Sequence, residues 1–272
     1  MPTPQRTGPK PRRRFRPVEV VAVERVTPRM VKVSLGGEAL AGFEVTAPTQ
    51  HVKLLFPGDG QEAPALPQSG ADGLRFPDDQ VRPVMRTFTP RHFDAKSSIL
   101  DVEFVLHGEG PAATWAARVE PGHRIAVAGP GGRMPLPLGP GRYVVGGDES
   151  AIPAIGTLLA ALPESASADV FLEVEDSSDE REVDSAADVS ITWLHRDWRP
   201  FGPALEAAVG GADLDGVTGV WVACEAQSVR RIRRLLLTER NLDPSSLVTR
   251  GYWRLGEDNH PDHDYGEDEN AA

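Results

Sequence analysis

The sequence predicts two domains, a six-stranded antiparallel β-barrel followed by an α/β domain with a parallel sheet. Three observations indicate this architecture. The 272 residues suit two domains of ordinary size. The first half holds at least six short β-rich segments separated by turn residues. The second half alternates apolar strands with helical segments, which is typical of βαβ units around a parallel sheet.

The first-half strands are rich in β-branched residues and partly alternate between apolar and polar side chains. Strands are predicted at 18–23, 30–35, 51–56, 99–106 and 124–128, with a further extended segment at 86–91. Residues 57–80 are rich in Gly, Pro, Asp and Gln and predict a long surface loop. Pro111 favours a first helical turn, so a helix is expected over 111–118.

The sequence pattern changes near residues 137–141, from short strands to strands that alternate with helices, and we place the domain boundary there. Apolar segments predict strands at 142–147, 168–175, 189–194, 217–224 and 248–252. Helices are expected at 151–162, 203–209 and 227–240. The basic run Arg230-Arg231-Ile232-Arg233-Arg234 resembles a nucleic-acid patch, but apolar positions within it favour a solvated arginine face on a packed helix.

Charge and composition limit the class of protein. The net charge of -11 is uneven: residues 1–17 hold six basic residues and no acid, and residues 257–272 hold seven acids and no Lys or Arg. An acidic body argues against general nucleic-acid binding. No stretch approaches the roughly 18 apolar residues of a membrane helix. With no secretory signal pattern and with Cys224 as the single cysteine, we expect a cytoplasmic protein that is not embedded in a membrane.

These features divide the chain into four predicted parts. We expect a disordered basic arm at 1–15, the barrel at 16–138, the α/β domain at 139–256, and a disordered acidic tail at 257–272.

Four short motifs carry the candidate chemistry. The segment Arg86–Arg91 combines arginines, threonines and Phe88, which suits a flavin ring and its phosphates, although a solvated strand fits the same pattern. Residues 107–115 place glycines before a helix, a pattern that suits either pyrophosphate or a simple cap. In 145–155 an apolar strand ends in two glycines before a helix, where open α/β sheets bind nucleotides. Aromatics in 251–256 fit either a flavin wall or a sheet-edge plug.

Other chemistries are not indicated by the sequence. The histidines have no metal-ligand spacing, and Cys224 has no neighbouring cysteine, so no metal site is predicted. Serine-hydrolase, P-loop and zinc-protease motifs are also missing.

The order and spacing of six segments resemble the signature of the siderophore-interacting protein family. The segments are Arg86–Arg91, Glu103–His107, Gly110–Trp115, Gly147–Ile155, Trp221–Glu225 and Gly251–Arg254. Members of that family are FAD-dependent ferric-siderophore reductases related in architecture to ferredoxin reductases. The resemblance covers 16–256 and implies an FAD-binding barrel followed by an NAD(P)H-binding domain. It implies that NADH or NADPH reduces FAD, which then passes single electrons to chelated ferric iron.

The resemblance also implies site residues. Those expected to bind FAD are Arg86, Thr87, Phe88, Thr89, Arg91, Glu103, Val105, His107, Gly110, Pro111, Ala112, Ala113, Thr114, Trp115, Tyr252 and Trp253. Those expected to line the nicotinamide pocket are Asp148, Glu149, Ser150, Ala151 and Glu225. Those expected to bind the anionic ferric chelate are Lys53, Arg133, and Arg250 or Arg254.

Alternatives remain at this point. The chain fits a flavin reductase that serves ferredoxin or another protein, or a non-enzymatic siderophore-binding protein. The sequence does not choose between NADH and NADPH. An arginine near a 2′-phosphate favours NADPH, and His195-Arg196 or Arg230-Arg231 are the candidates for that contact. A monomer is the expected state.

Overall fold

A seven-stranded antiparallel sheet forms the first half of the computed structural model, which describes residues 14–267 apart from 71–72, 109, 133 and 262. Its strands are β1 (Phe15–Thr27), β2 (Met30–Gly36), β3 (His51–Phe56), β6 (Val84–Phe88), β7 (Pro90–Asp94), β8 (Ile99–Val105) and β9 (Arg124–Gly131). A separate hairpin holds β4 (Gln68–Gly70) and β5 (Gly73–Arg75). Helix α1 (Pro111–Ala116) lies between β8 and β9.

The order of the strands, β6-β3-β9-β1-β2-β8-β7, curls this sheet into a barrel-like shape. Strands β6 and β7 lie at opposite ends of the sheet, yet Thr89 alone separates them in sequence. The two ends must therefore meet at that residue, although no ladder between them closes the barrel among the described residues. The predicted antiparallel barrel architecture is confirmed, with seven strands instead of six because Pro90–Asp94 pairs with β8.

Alternation along β8 shows how the barrel core is built. Leu100, Val102 and Phe104 are buried inside the barrel, as expected for every second residue of a strand. Glu103 breaks the pattern, since it points to the other side and is nevertheless buried. It is buried because the second domain covers that face, as its contact with Arg181 shows.

The second half forms a five-stranded parallel sheet in the described part of the chain, with the order β12-β11-β10-β13-β14. Its strands are β10 (Gly141–Asp148), β11 (Ala166–Val174), β12 (Asp188–His195), β13 (Val217–Glu225) and β14 (Leu247–Trp253). Its helices are α2 (Ile152–Ala160), α3 (Pro203–Gly211) and α4 (Ala226–Arg234), and α4 continues as a π-helical turn over Leu235–Glu239. The parallel α/β architecture agrees with the sequence prediction.

Helices cover both faces of this sheet, which explains why its central strand is continuously apolar. Tyr143 and Val145 pack on the α2 side, whereas Val144 packs with residues of α3 and α4. None of the helices in the described ranges is long and apolar enough to cross a membrane.

Polar contacts join the two halves. Arg29 of the barrel places one guanidinium nitrogen 2.6 Å from Asp179 and another 2.9 Å from Asp176. The backbone N–H of Thr49 donates to the hydroxyl of Thr157 on α2, at 3.0 Å. Because these bonds link the barrel to α2 and to the segment after β11, they fix the position of one domain against the other.

The C-terminal segment differs from the sequence prediction. Residues 257–261 and 263–267, expected to be disordered, pack against β14 and α4. The Asp264 carboxylate lies 3.0 Å from the guanidinium of Arg230 and 2.8 Å from the ring of His260, and the Asp264 carbonyl accepts from Gly251 N–H. The acidic tail and the basic helix therefore neutralise each other in part. Residues 1–13 and 268–272 lie outside the described residues, so the disorder expected there stays a prediction.

Candidate functional site

A cavity of about 850 Å³ lies between the two domains. Its volume is in the upper part of the range of small-molecule sites. The barrel and the α/β domain each supply one wall. Of the residues expected at the site, the following line it: Arg86, Thr87, Phe88, Thr89, Glu103, Val105, His107, Gly110, Pro111, Ala112, Ala113, Ser150, Arg250, Tyr252 and Trp253.

The barrel wall presents polar side chains and open backbone to the cavity. Arg86, Thr87 and Thr89 lie at the end of β6 and on the link to β7. Gly110 precedes α1, and a Cβ atom added there would meet no heavy atom within 4 Å. With the small side chains of Ala112 and Ala113 beside it, this part of the wall lets a ligand approach the main chain closely.

Arg91, Thr114 and Trp115 do not line the cavity. Arg91 turns toward α2, where a Cβ atom at Gly156 would lie 3.1 Å from its guanidinium carbon. It also lies 3.9 Å from Glu103, whose other oxygen is 2.6 Å from Arg181. The Trp115 ring packs in the barrel core, 5.1 Å from that of Phe56. Arg91 and Trp115 therefore support the wall from behind.

Tyr252, Trp253 and Ser150 form the α/β wall, at the carboxyl ends of parallel strands where open sheets bind ligands. The Trp253 ring is 4.8 Å from Phe201 and 6.2 Å from His107. Burial lowers the pKa of His107, which keeps its ring neutral at physiological pH. Trp253 is thus held between both domains.

Asp148 lies behind this wall and is fully buried. One carboxylate oxygen accepts from Trp253 Nε1 at 2.8 Å and from Glu225 N–H at 3.1 Å, and the other accepts from Ser150. Burial, with the charge of Glu149 as a second cause, raises the pKa of Asp148 to about 7. The expected nicotinamide-pocket residue therefore acts on the wall through Trp253.

Glu149 and Ala151 are also turned away from the cavity. Glu149 makes a two-pronged ion pair with the buried guanidinium of Arg196, which in turn lies 3.3 Å from Glu175. The Arg196 guanidinium also lies 4.5 Å from the centre of the Phe201 ring, the ring that contacts Trp253. This buried cluster supports the aromatic wall from beneath.

Glu225 caps a helix. Its carboxylate accepts from the N–H groups of Gln227 and Ser228 in the first turn of α4, at 2.7 and 3.0 Å. Sequence reasoning placed it across the nicotinamide pocket, whereas the structure buries it in the protein. The interaction stabilises the positive end of the helix dipole.

The arginines considered for a contact with the 2′-phosphate of NADPH each form an ion pair with a carboxylate of the protein. Arg196 pairs with Glu149, Arg230 with Asp264, and Arg231 with Glu206 at 2.7 Å. The contacts therefore give no preference for NADPH at these positions.

The residues expected to bind a ferric chelate are only partly brought together. Arg250 lines the cavity. Lys53 donates from its ammonium to the hydroxyl of Thr87, at 3.1 Å, which places it beside the barrel wall. Arg254 pairs with Glu257 at 3.2 Å. Arg133 lies outside the described residues.

Sequence reasoning missed the part of the cavity formed by the C-terminal segment. Asn259, His260 and Tyr265 line it together with Arg233 of α4. The only available signal was the opposite charge of α4 and the tail. No group of His, Cys, Asp and Glu residues in the described ranges is arranged to hold a metal ion.

Two family models match the chain. One, described as a siderophore-interacting FAD-binding domain, covers residues 19–134. The other, described as siderophore-interacting protein, covers residues 140–256. Together they span both sheets and stop before the C-terminal segment.

Individual proteins extend this result. A siderophore utilization protein from T. fusca has a solved structure with a TM-score of 0.82, at 38% identity, over 92% of this chain and 97% of that one. Ferric vibriobactin reductase ViuB from Vibrio cholerae is 32% identical over 91% of this chain and 92% of its own. The ferredoxin reductase of carbazole 1,9a-dioxygenase shares the fold, with a TM-score of 0.61 at 13% identity over 89% of this chain and 66% of that one. The predicted ferredoxin-reductase-like fold is confirmed.

Proposed function

Because the chain belongs to the siderophore-interacting protein family, with an FAD-binding domain over residues 19–134, we propose that it is a ferric-siderophore reductase driven by NADH or NADPH. The observation that carries the proposal is the cavity of about 850 Å³ between the FAD-binding barrel and the α/β domain. A donor nucleotide, FAD and a ferric chelate must meet at one place, and this is where motifs from both domains converge.

The residues present fit FAD. Arg86, Thr87 and Thr89 offer hydrogen-bond donors to phosphate and ring oxygens, and the fork of an arginine suits phosphate. The open Gly110 leaves room for a ligand against the backbone, since an added Cβ would meet nothing within 4 Å. Tyr252 and Trp253 supply aromatic faces opposite the barrel wall.

When bound, FAD supplies the redox chemistry: it takes two electrons from a reduced nicotinamide and passes them singly to ferric iron. The protein's part is binding, orientation and exclusion of water. Trp253, held by Asp148 and Phe201, gives one wall of the cavity an aromatic surface that is fixed in position. Arg86, Thr87 and Thr89 orient the ligand from the opposite wall.

The ferric chelate is the substrate, and we propose that Arg250, Lys53 and Arg254 attract it. Ferric siderophores are commonly anionic, so a basic side chain in the cavity (Arg250) and two beside residues of its wall (Lys53 and Arg254) favour their approach on an otherwise acidic body. Ferrous iron binds hard oxygen ligands more weakly than ferric iron, so reduction releases the metal from the chelate. We further propose that the protein acts as a monomer in the cytoplasm, where reduced nicotinamides are available.

The test is an anaerobic assay of the purified, FAD-loaded protein with NADH or NADPH, several ferric siderophores and a ferrous-specific chromogenic chelator. We expect loss of the flavin absorbance on nicotinamide addition, followed by formation of the coloured ferrous complex. Arg86→Ala should weaken FAD binding and lower ferrous production. Arg82→Ala is the matched control, because Arg82 is exposed and does not line the cavity.

Other outcomes discriminate the alternatives. Flavin bleaching without ferrous product from any siderophore would contradict the proposal and favour a reductase that serves a ferredoxin or another protein acceptor. A folded protein that binds siderophore but takes up no FAD would favour a non-enzymatic siderophore-binding role.

A further inference from the structure

His51 lines the cavity between the two domains, although no sequence motif singled it out. It is the first residue of β3, and Lys53 follows two positions later on the same face of the strand. Lys53 is one of the basic side chains proposed to attract the ferric chelate, and it donates to Thr87 of the cavity wall at 3.1 Å. The imidazole of His51 therefore belongs to the same stretch of wall as a group proposed for the substrate.

Two glycines hold the imidazole ring. In the pairing of β3 with β9, His51 lies opposite Gly131. A Cβ atom at Gly131 would lie 3.2 Å from His51 Nε2, and one at Gly132 would lie 3.0 Å from Nδ1. A side chain at either position would push against the ring, so main chain approaches it as closely as glycine allows. The imidazole consequently has a defined position in the cavity wall.

The residues just before His51 fix the backbone that carries it. Gln50 is buried, and its side-chain amide donates to the carbonyl of Gly132 at 3.2 Å. The N–H of Thr49 donates to the hydroxyl of Thr157 on α2, at 3.0 Å. The first contact ties the start of β3 to the turn that holds the ring, and the second ties it to the α/β domain. His51 is thus anchored where the two domains meet.

The elements packed around the ring bring few other titratable groups among the described residues. The turn at 46–50, strand β9 between Ile125 and Gly131, and helix α2 carry none. Strand β3 contributes Lys53 and β6 contributes Arg86, while Asp148 is buried behind the α/β wall. Arg133, which follows the glycine turn, lies outside the described residues. The barrel side therefore presents positive charge or none here, which suits an anionic oxygen beside the ring.

Release of iron from an oxygen chelate requires protons as well as electrons. The oxygen ligands bind metal in their deprotonated form, so the metal and the proton compete for them. An imidazole titrates in the physiological range, so it can give a proton to such an oxygen and recover one from water. An ammonium group holds its proton more tightly, so Lys53 serves as a fixed charge.

The role inferred for His51 rests on the proposed reduction of a ferric chelate. We propose that His51 is the proton donor to the chelate. One electron from the reduced flavin converts ferric to ferrous iron, and a bond between the iron and a chelate oxygen breaks. The freed oxygen takes the proton of the His51 imidazolium and forms an O–H group. The neutral imidazole regains a proton from water, and the protonated oxygen binds iron only weakly.

The test follows a single turnover of FAD-loaded protein that has been photoreduced under anaerobic conditions, so that no nicotinamide step enters. Flavin reoxidation and ferrous product are measured for His51→Gln, which stays polar but does not titrate, and for His51→Asn as a second variant. His92→Gln is the matched control, because His92 is exposed and does not line the cavity. The acceptors are a ferric siderophore and ferricyanide, which takes an electron without releasing its iron.

With saturating siderophore near pH 7, both His51 variants should form ferrous product about 100-fold more slowly than wild type, as for the loss of a general acid. The ratio of the wild-type rate to the variant rate should fall as the pH rises from about 6 to about 8, because the imidazolium is lost. Ferricyanide should reoxidise every protein at the same rate, and His92→Gln should match wild type with both acceptors.

Unchanged siderophore rates in both His51 variants would overturn the proposal. An equal loss with ferricyanide would also overturn it, because the effect would then lie at the flavin. A gallium(III) siderophore, which is not reduced, separates proton donation from affinity: both variants should bind it as tightly as wild type, and a loss of binding that accounts for the slower rate would contradict the proposal. No ferrous product from wild type with any siderophore, beside normal reoxidation by ferricyanide, would instead refute the proposed function and this role with it.

Discussion

The two walls of the cavity use their polar residues in opposite ways. On the barrel wall, Arg86, Thr87 and Thr89 face the cavity. On the α/β wall, Glu149 and Glu225 are buried among protein partners behind the aromatic surface. Both sets belong to motifs that looked like ligand contacts in the sequence. The difference shows that polar residues of a motif at a domain interface have two possible roles. They can face the cavity, or they can support the wall of the cavity from behind.

The largest effect should come from Arg196→Ala, which tests the supporting role of the α/β cluster. It leaves Glu149 and Glu175 buried without their cation. Breaking such a buried pair costs about 3–5 kcal/mol of unfolding free energy. Urea unfolding measures the loss. The exposed neighbour Arg199 serves as the control, and Arg199→Ala should change stability by less than about 0.5 kcal/mol.

The barrel wall supplies the contrasting variant. Arg86→Ala should change the stability of the apoprotein by less than about 1 kcal/mol, because its side chain is partly exposed and faces the cavity. An equal loss in Arg86→Ala and Arg196→Ala would remove the distinction between the walls.

The next effect is a pH dependence centred on Asp148. Its pKa is about 7 in the folded protein and 3.8 as the reference for the unfolded chain, so the folded state holds the proton more tightly. Stability from this group is therefore full below pH 4 and falls as the pH rises toward 7, by up to about 1.4 kcal/mol per pH unit. Asp148→Asn should flatten this slope. Parallel urea midpoints for wild type and variant between pH 4 and pH 8 would contradict the assignment.

Alanine substitutions at two glycines compare the space that is available in the two walls. At Gly147 an added Cβ would lie 2.8 Å from the carbonyl of Ala223, whereas at Gly110 it would meet nothing within 4 Å. Gly147→Ala should cost about 1–3 kcal/mol from overpacking. Gly110→Ala should leave unfolding unchanged yet weaken FAD binding, because its methyl group enters the cavity. Thermal melts and flavin titrations of both variants distinguish the two effects.

The smallest expected effect tests the junction between the walls. Thr157→Val removes the hydroxyl that accepts from Thr49 N–H, and the lost bond should cost about 1 kcal/mol. Thr157→Ser keeps the hydroxyl and should match the wild type in a urea melt. A Thr157→Val variant as stable as the Ser variant would show that this bond does not help to join the domains.

The sequence predicted elements whose signal is local. The alternation of Leu100, Val102 and Phe104 predicted β8 at 99–106, and the strand spans Ile99–Val105. The seventh barrel strand was missed because Pro90–Asp94 is short, begins with proline and gains its identity by pairing with β8. Pairing partners of this kind are set by tertiary structure.

The roles of the site residues show the same limit. Nothing near Glu149 in sequence indicates that Arg196, 47 residues later, will bury it. Likewise, composition alone predicted a disordered tail. The contact that holds the tail in place joins Asp264 to Arg230, 34 residues away, so the local sequence gives no sign of it. The sequence identified which segments surround the cavity, but contacts over such separations decide which side chains face it.

The single-residue link at Thr89 has a consequence for how the empty protein behaves. Since β6 and β7 are the two edge strands of one curled sheet, a ligand bound by Arg86, Thr87 and Thr89 holds β6 and the single-residue link that leads to β7. Amide hydrogens of these two strands should exchange faster in the flavin-free protein and slow together on loading. A link lengthened by even a few residues would let the two edge strands separate. The single-residue link therefore couples the shape of the barrel to its prosthetic group.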